Sequence, residues 1–304
     1  MKMMLGAQAS ICLPWSPVYP HAMPAHHVTL FLSTGRCGTQ WLAHNLSEFY
    51  QGKVWVTHEP IGPHYRPREL LRAPEATPAP EVTAHLDEVA QALEGRDYVE
   101  TGWPLFAAIP LFVRRFPGRV RVVHLTRHPV RAALSHMVHQ CYAGSPRADD
   151  YTRLAALGPE DPGVLQRAYA ERWGALTPFE KCLYWCTEVH LYAREIEGAV
   201  PVLRLRAEDV LAGDEVALRR LCDFAGLPYE PQLTERSRRR VDAWHHRTRL
   251  DLDWRRVFEH PAALEVVEWL GYGFEELDDE ELRERYEGAP FAGGDKEEEQ
   301  RRGG

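Results

Sequence analysis

Apolar and polar residues alternate in blocks along the chain, and these blocks predict strands that are followed by helices. The run Val28–Leu32 is apolar and rich in β-propensity, which is typical of a buried strand. The loop Ser33–Trp41 follows it and contains two glycines. Behind the loop, apolar residues recur at the spacing of one helix face, at Leu42, Leu46 and Phe49. This stretch therefore predicts a strand, a glycine loop and a helix that begins near Gly38.

The glycine loop has the features of an anion-binding site. Gly35 and Gly38 allow a sharp turn and a close approach of the backbone to a ligand. The unpaired N–H groups at the start of the helix point into the loop, where they favour an anion. Arg36 adds a permanent positive charge and Thr39 a hydroxyl donor. A tight turn without a ligand is the alternative interpretation of the same residues.

A second strand and helix predict another anion site. The segment Val120–Leu125 is typical of a buried strand, and Arg127 follows at its end. Pro129 suits the first position of a helix that also contains Ser135. Because ligands bind at the carboxyl ends of strands in open α/β sheets, Arg127 and Ser135 could bind a phosphate there. Two separate anion sites at one sheet edge suit a ligand with two anionic ends.

These motifs resemble the two signatures of sulfotransferases that use 3′-phosphoadenosine 5′-phosphosulfate (PAPS). The glycine loop resembles their 5′-phosphosulfate loop in its arginine variant. The cofactor contacts implied there are Gly35, Arg36, Cys37, Gly38, Thr39, Gln40 and Trp41. Arg127-His128-Pro129 with Ser135 resembles their 3′-phosphate site, and Val202–Val210 resembles a late strand and turn of the family. The resemblance covers about residues 28–228.

The resemblance implies both a fold and an activity. The fold would be α/β, a three-layer sandwich with a central parallel sheet, as in P-loop NTPases. The activity would be transfer of a sulfuryl group from PAPS to a hydroxyl or amine of a small-molecule or glycan acceptor, with 3′,5′-ADP as the product. This reaction requires no metal, and no ligand spacing in the sequence suggests one. The sequence does not identify the acceptor, because acceptor pockets are built from variable loops.

Three residues are candidates for the catalytic base. A strand is predicted at Lys53–Thr57, and His58 and Glu59 follow it, where an imidazole or carboxylate could accept a proton. In several branches of the resembled family a glutamate after this strand is the proposed base, so Glu59 is the first candidate and His58 the second. The soluble branch carries a lysine and a catalytic histidine where this chain has Glu100 and Gly102. Glu100 is therefore the third candidate, and a surface carboxylate or a packed histidine is the plainer interpretation of the first two.

Two other classes of function compete with a sulfotransferase. A nucleotide kinase or NTPase would need a Gly-x-x-x-x-Gly-Lys-Ser/Thr loop and an acidic residue at a strand end to hold magnesium. The loop of this chain has no lysine, and the second strand ends in Thr126-Arg127. A non-catalytic adenine-nucleotide-binding protein on the same fold is the other alternative. The presence of Glu59 beside the loop weakly favours an enzyme.

Composition restricts the partners and the location of the protein. The 304 residues include 36 Lys or Arg and 44 Asp or Glu, and the net charge of −8 argues against a nucleic-acid partner. The six cysteines form no CxxC pair, so buried thiols in a reducing, cytoplasmic location are expected. No run of 18 apolar residues occurs, and therefore no membrane span is expected.

Glycine, proline and charge divide the chain into three parts. Residues 1–27 are predicted to be irregular, 28–287 to form one sulfotransferase-like domain, and 288–304 to be a disordered tail. Turns interrupt the helical pattern at about residues 141–178, which predicts a lid or an acceptor-binding excursion. The arginines at 236–240 are either a solvated helix face or a group that closes over the 3′-phosphate, as in many members of the family.

Overall fold

The chain is built around one parallel sheet. The computed structural model describes residues 26–73, 75–139, 141–142, 154–237 and 253–286. Its strands are β1 (Val28–Leu32), β2 (Val54–Thr57), β3 (Asp97–Glu100), β4 (Val120–Thr126) and β5 (Val202–Arg206). All neighbouring strands are parallel, in the order β2-β3-β1-β4-β5. The predicted α/β class with a central parallel sheet is therefore confirmed.

Helices connect the strands and cover the sheet. They are α1 (Thr39–Phe49), α2 (Pro67–Leu70), α3 (Pro80–Ala92), α4 (Ile109–Arg115), α5 (Pro129–Val138), α6 (Pro178–Ile196), α7 (Ala207–Ala212), α8 (Glu215–Ala225), α9 (Gln232–Ser237), α10 (Pro261–Trp269) and α11 (Asp279–Tyr286). The helix predicted to begin near Gly38 is confirmed, since Gly38 is the N-cap of α1. Pro67 occupies the first position of the short helix α2, which its fixed φ suits.

The strands contribute side chains to two hydrophobic cores, one on each face of the sheet. Successive side chains of a strand point to opposite faces. Leu30 and Leu32 of β1 therefore pack in one core with residues of α3, α5 and α6. Phe31, between them, packs in the other core with residues of α1 and α8. Helices thus lie on both faces of the sheet, and the three predicted layers are confirmed.

The register of the sheet brings the strand ends to one edge. Leu32 of β1 pairs with His124 of β4, while Glu100 of β3 pairs with both Leu30 of β1 and Thr57 of β2. The chain leaves β1 toward the β2 side of the sheet and later returns to β4 on the other side. Such a reversal of strand order creates a crevice outside the strand ends. The loops after β1, β2, β3 and β4 all open at this edge.

The long helix α6 holds the excursion that was predicted at residues 141–178. A capping box starts the helix: the Thr177 hydroxyl accepts from Glu180 N at 3.3 Å, and Glu180 Oε2 accepts from Thr177 N at 2.8 Å. The buried Arg72 donates to Glu188 of α6 at 2.9 Å and also to the carbonyl of Gly163. The described part of the excursion is therefore bound to α6 by charged hydrogen bonds.

Aromatic residues of the excursion pack on the same helix. The ring centroids of Trp173 and Tyr184 lie 5.1 Å apart, and those of Tyr142 and Trp173 lie 5.7 Å apart. Tyr169 also contacts Tyr184, at 5.4 Å between centroids. These rings therefore pack the described part of the excursion against α6.

A buried histidine pair links β4 to α6. Nε2 of His124 and Nδ1 of His190 lie 3.0 Å apart, and both side chains are fully buried. Burial lowers the pKa of both imidazoles, that of His190 to about 3, because a charged ring would lose its hydration there. The folded protein therefore keeps both rings neutral at pH values where the unfolded chain binds protons.

The free energy of unfolding should fall as the pH is lowered from about 7.5 to about 5.5. The unfolded chain takes up a proton at each of these two histidines and the folded chain does not, which lowers stability by about 1.4 kcal/mol per histidine over this interval. Urea unfolding at both pH values measures the loss. His190→Gln should make the loss smaller, whereas His44→Gln, at an exposed position, should leave it unchanged. An identical loss in wild type and His190→Gln would contradict this expectation.

Candidate active site

The glycine loop between β1 and α1 is sharply bent. Three of its residues have positive φ, at 80° for Gly35, 58° for Arg36 and 77° for Gly38. Helix α1 begins at Thr39, and within the described part of the chain no side chain caps the N–H groups of its first turn. Uncapped N–H groups at a helix start favour negative charge, and an anion site here stays a prediction.

The carbonyl oxygen of Thr34 binds the glycine loop to α5 and α6. Nε2 of His136 and Nε1 of Trp185 both donate to it at 2.8 Å. Burial lowers the pKa of His136 to about 3, so the ring is neutral and its proton lies on Nε2. A Cβ at Gly35 would lie 3.1 Å from the His136 ring and 3.2 Å from the Trp103 ring. Close packing and the positive φ therefore both favour glycine at position 35.

Arg127 reaches from the end of β4 to the glycine loop. Its Nη1 donates to the carbonyl of Arg36 at 2.6 Å, and its Nη2 donates to the Tyr286 hydroxyl at 3.2 Å. Nε of Arg36 in turn donates to Oγ of Ser135 at 3.2 Å. The two anion sites that the sequence predicted as separate are therefore adjacent. The physical reason is that β1 and β4 are neighbouring strands, so their C-terminal loops touch.

Two acidic side chains support the segment that contains Arg127. Glu281 of α11 accepts two hydrogen bonds from Arg131, at 2.8 and 2.6 Å. Glu208 of α7 accepts from the backbone N–H of His128 at 3.1 Å and from the Tyr272 hydroxyl at 2.9 Å. The sequence did not single out either carboxylate. Glu208 could have been found, because it lies in the segment that resembles the family's late turn.

His58 and Glu59 form a strained turn after β2. Glu59 has φ 49°, a left-handed conformation that is uncommon outside glycine and is concentrated at functional sites. Nε2 of His58 lies 3.7 Å from Oε1 of Glu59. Nδ1 of His58 lies 3.1 Å from Oγ1 of Thr101, which donates to the carbonyl of Thr39 at 2.9 Å. One hydroxyl group therefore links this turn to the first residue of α1.

Glu59 occupies the space that a side chain at Gly102 would take. A Cβ at this position would lie 2.7 Å from Cγ and 2.8 Å from the backbone N of Glu59. Gly102 has φ −75°, which any residue can adopt, so the requirement for glycine here is steric. The resembled soluble branch carries its catalytic histidine at this position, and that side chain could not coexist with the turn as it is folded here. The glycine at position 102 and the placement of Glu59 therefore satisfy one steric condition.

Glu100 lies at the end of β3 and is fully buried. Both of its carboxylate oxygens accept from the Tyr65 hydroxyl at 2.8 Å, and Oε2 also accepts from the Tyr98 hydroxyl at 2.6 Å. A base must come within hydrogen-bond reach of the proton that it takes. The side chains of His58 and Glu59 are 26% and 17% exposed, so they have better access to a substrate than Glu100 has.

The other predicted residues of the loop differ in their exposure. Cys37 is fully buried and donates to the carbonyl of Gly35 at 3.2 Å, and burial raises the pKa of its thiol to about 11. Trp41 is buried in the core beneath α1, whereas Gln40 is exposed on the first turn of that helix. Cys37 and Trp41 thus contribute to packing, and Gln40 faces solvent.

Several sequence predictions concern metals, membranes and segments at the margins of the structure. Among the described residues, no three His, Cys, Asp or Glu side chains are grouped so that they could hold a metal ion. No helix in the described ranges is long and apolar enough to cross a membrane. Cys182 and Cys186 are buried on α6, as predicted. Residues 1–25, the tail at 288–304 and most of the basic stretch 236–240 lie outside the described residues.

Comparison with known proteins yields structural likenesses. No protein-family model and no curated protein matches the chain. The sulfotransferase domain from the Synechococcus PCC 7002 olefin synthase is similar at 14% identity, with 86% of this chain and 99% of that one covered and a TM-score of 0.46. A sulfotransferase from Alicyclobacillus acidocaldarius has 14% identity, coverages of 83% and 98%, and a TM-score of 0.45.

A mouse protein is also among the similar structures. Mouse sulfotransferase SULT7A1 complexed with PAP has 15% identity, coverages of 88% of this chain and 91% of that one, and a TM-score of 0.43. These neighbours are sulfotransferases, the family that the motifs of this chain resemble. At these identities and TM-scores, the likenesses carry no argument about the chemistry of this chain, which rests on its own residues.

Gly102→Ala should lower the free energy of unfolding by about 1–3 kcal/mol, the usual cost of overpacking. The added methyl group would collide with Glu59 and displace the turn after β2. Urea unfolding measures the change. Gly95→Ala is the matched control, since a Cβ there meets no atom within 4 Å and should change stability by less than about 0.5 kcal/mol. Equal stabilities of the two variants would mean that Gly102 is not required for steric reasons.

Proposed function

We propose that the chain is a sulfotransferase that uses PAPS as its donor. The observation that carries this proposal is the meeting of two arginines at the glycine loop. Arg127 donates to the Arg36 carbonyl at 2.6 Å, and Arg36 donates to the Ser135 hydroxyl at 3.2 Å. Two permanent positive charges, a hydroxyl and the start of α1 therefore converge at the edge of the sheet where such folds bind ligands.

A nucleotide with phosphates at both its 3′ and 5′ positions fits these donors. The N–H groups at the start of α1 and Arg36 would bind the 5′ end, and Arg127 and Ser135 would bind the 3′-phosphate. A guanidinium group has five N–H donors in a planar fork that matches phosphate oxygens. The two contacts of Arg127 described above use two of those donors. The site therefore retains donors for a phosphate without a change in the fold.

The proposed chemistry depends on position and charge. PAPS would supply the sulfuryl group and a phosphate leaving group. Arg36 and the N–H groups of the loop would stabilise negative charge where it develops on the phosphate, as in phosphoryl transfer. The pair His58–Glu59 would take the proton of the acceptor. The acceptor would be a hydroxyl or amine of a small molecule or glycan.

The competing functions are supported less well by the same residues. A kinase would need an acidic side chain at the end of β4, but the chain has Thr126 there, whose hydroxyl donates to the carbonyl of Leu205 at 3.2 Å. The glycine loop also carries Arg36 and no lysine. A non-catalytic protein that binds adenine nucleotides would share the anion site, and only an assay of transfer separates it from an enzyme.

Arg127→Ala should weaken binding of 3′,5′-ADP far more than binding of 5′-AMP. A charge-assisted hydrogen bond to phosphate contributes about 1.5–3 kcal/mol, which corresponds to roughly 10- to 150-fold in affinity. Calorimetric titration of both nucleotides measures the difference. Tyr286→Phe is the control, because it removes one partner of Arg127 and keeps the guanidinium charge. Equal losses for the two nucleotides would remove the assignment of the 3′-phosphate.

Transfer of radiolabelled sulfate from PAPS to a panel of hydroxyl and amine acceptors tests the proposed activity itself. A labelled product formed in the presence of EDTA would support it. Magnesium-dependent transfer of phosphate from ATP would favour the kinase. Binding of 3′,5′-ADP without transfer to any acceptor would favour the non-catalytic protein.

Glu59→Gln should lower single-turnover transfer by at least about 10²-fold and leave the affinity for 3′,5′-ADP unchanged. Gln retains the size of the side chain but neither accepts a proton nor stabilises a cation on His58, and loss of acid–base assistance costs roughly 10²–10⁴-fold. Glu100→Gln is the parallel variant, for which we expect little change in the rate of transfer because the carboxylate is bound by two tyrosines. A collapse of the rate in Glu100→Gln alone would move the base to Glu100.

A further inference from the structure

We propose that Thr101 is a positioning residue that fixes neutral His58 with its proton on Nδ1, so that Nε2 of His58 takes the proton of the acceptor. This inference rests on the proposed sulfotransferase function. It assigns the proton to the imidazole and gives the Glu59 carboxylate a supporting role. It also gives a function to a fully buried hydroxyl that the sequence motifs do not include.

The hydrogen bonds of Thr101 determine which ring nitrogen carries the proton. Oγ1 of Thr101 lies 2.9 Å from the carbonyl oxygen of Thr39 and 3.4 Å from that of Thr57. A carbonyl oxygen only accepts, and a hydroxyl has one hydrogen to donate. The hydrogen of Thr101 therefore goes to Thr39. Toward Nδ1 of His58, at 3.1 Å, the hydroxyl presents a lone pair, so Nδ1 must be the donor.

The neutral form of His58 then has its lone pair on Nε2. A neutral imidazole carries one N–H, and the hydrogen bond that it makes selects the nitrogen. With Nδ1 protonated, Nε2 is the only ring atom that can accept a proton. The side chain is 26% exposed, which gives a substrate access to it.

Glu59 is placed to stabilise the ring once it is protonated. Its Oε1 lies 3.7 Å from Nε2 of His58 and its side chain is 17% exposed. The two atoms are thus close enough for charge attraction after proton transfer. Before transfer, Nε2 of His58 presents its lone pair on the side of the Glu59 carboxylate. The arrangement therefore suits an acceptor O–H that enters between the imidazole and the carboxylate.

The environment of His58 keeps it ready to accept a proton near neutral pH. Burial lowers the pKa of the imidazole from its usual value, while the Glu59 and Glu100 carboxylates and the Thr101 backbone act in the opposite direction. A lowered pKa leaves the ring neutral, which is the form that a base requires. Thr101 also ties the ring to Thr39, the first residue of α1, so the base is held relative to the glycine loop.

The proposed step forms one bond to sulfur and breaks another. The acceptor oxygen forms a bond to sulfur, and the bond from sulfur to the bridging phosphate oxygen breaks. Its electron pair stays on that oxygen, which becomes part of 3′,5′-ADP. The proton of the acceptor passes to Nε2 of His58 and gives an imidazolium that Glu59 stabilises. Water later removes this proton.

The tautomer can be measured without any assay of activity. Two-bond ¹H–¹⁵N correlation spectra of protein labelled with ¹⁵N-histidine distinguish the Nδ1–H from the Nε2–H form, and His58→Gln identifies the resonances of His58. We expect the Nδ1–H form in wild type and in Thr101→Ser, which keeps the hydroxyl. In Thr101→Val, which has the same shape without the hydroxyl, the Nε2–H form should become populated.

Kinetics test whether this positioning matters for catalysis. Thr101→Val should lower kcat by roughly 10²-fold, the cost of a misplaced catalytic group, with the KM for PAPS and the affinity for 3′,5′-ADP nearly unchanged. Thr101→Ser should recover most of kcat. In wild type, kcat/KM should rise with pH through a single ionisation. His58→Gln should remove this ionisation and lower the rate by roughly 10²–10⁴-fold.

The possible outcomes separate this inference from the proposed function. An Nε2–H tautomer in wild type, or a Thr101→Val variant with wild-type kcat, would overturn the inference while PAPS-dependent transfer still stands. Loss of kcat in Thr101→Ser equal to that in Thr101→Val would also overturn it, because the hydroxyl would then not be the cause. An Nδ1–H tautomer without transfer to any acceptor would overturn the role of His58 as a base together with the proposed function.

Discussion

The hydrogen bond from Arg127 to the carbonyl oxygen of Arg36 is the contact that brings the two predicted anion sites together. It joins the end of β4 to the loop after β1, and its charged donor makes it roughly twice as strong as a neutral hydrogen bond. The left-handed conformation of Arg36 costs free energy. A charged donor held by the neighbouring strand offsets that cost. The shape of the loop and the proximity of the two arginines thus have a common origin.

The sequence was sufficient to predict the parts of the site that are local in the chain. A strand, two glycines and a helix follow one another directly, and the spacing of apolar residues alone indicates their order. Arg127 and Ser135 likewise lie within one strand–helix unit, where a parallel sheet exposes its carboxyl ends. Such units have short connections, so their geometry follows from backbone rules. The strand and helix of both segments were predicted for that reason.

The remaining contacts join residues that are far apart in sequence, and periodicity does not specify them. The Thr34 carbonyl binds His136 and Trp185, which follow it by 102 and 151 positions. Tyr286 binds Arg127 over 159 positions. The adjacency of the two anion sites has the same explanation, because it depends on the pairing of β1 with β4. A hydrophobic pattern shows that both strands are buried but not that they are neighbours.

The turn after β2 shows how one steric condition can fix the placement of a side chain. The backbone of Glu59 passes within 2.8 Å of the position that a Cβ of residue 102 would take. A side chain at position 102 and this turn are therefore mutually exclusive. Once the turn is present, its neighbour Thr101 is close enough to accept from His58 and to donate to α1. Gly102, the left-handed Glu59 and the oriented imidazole thus form one structural unit. A chain that replaced Gly102 by histidine would have to rebuild the turn that holds Glu59.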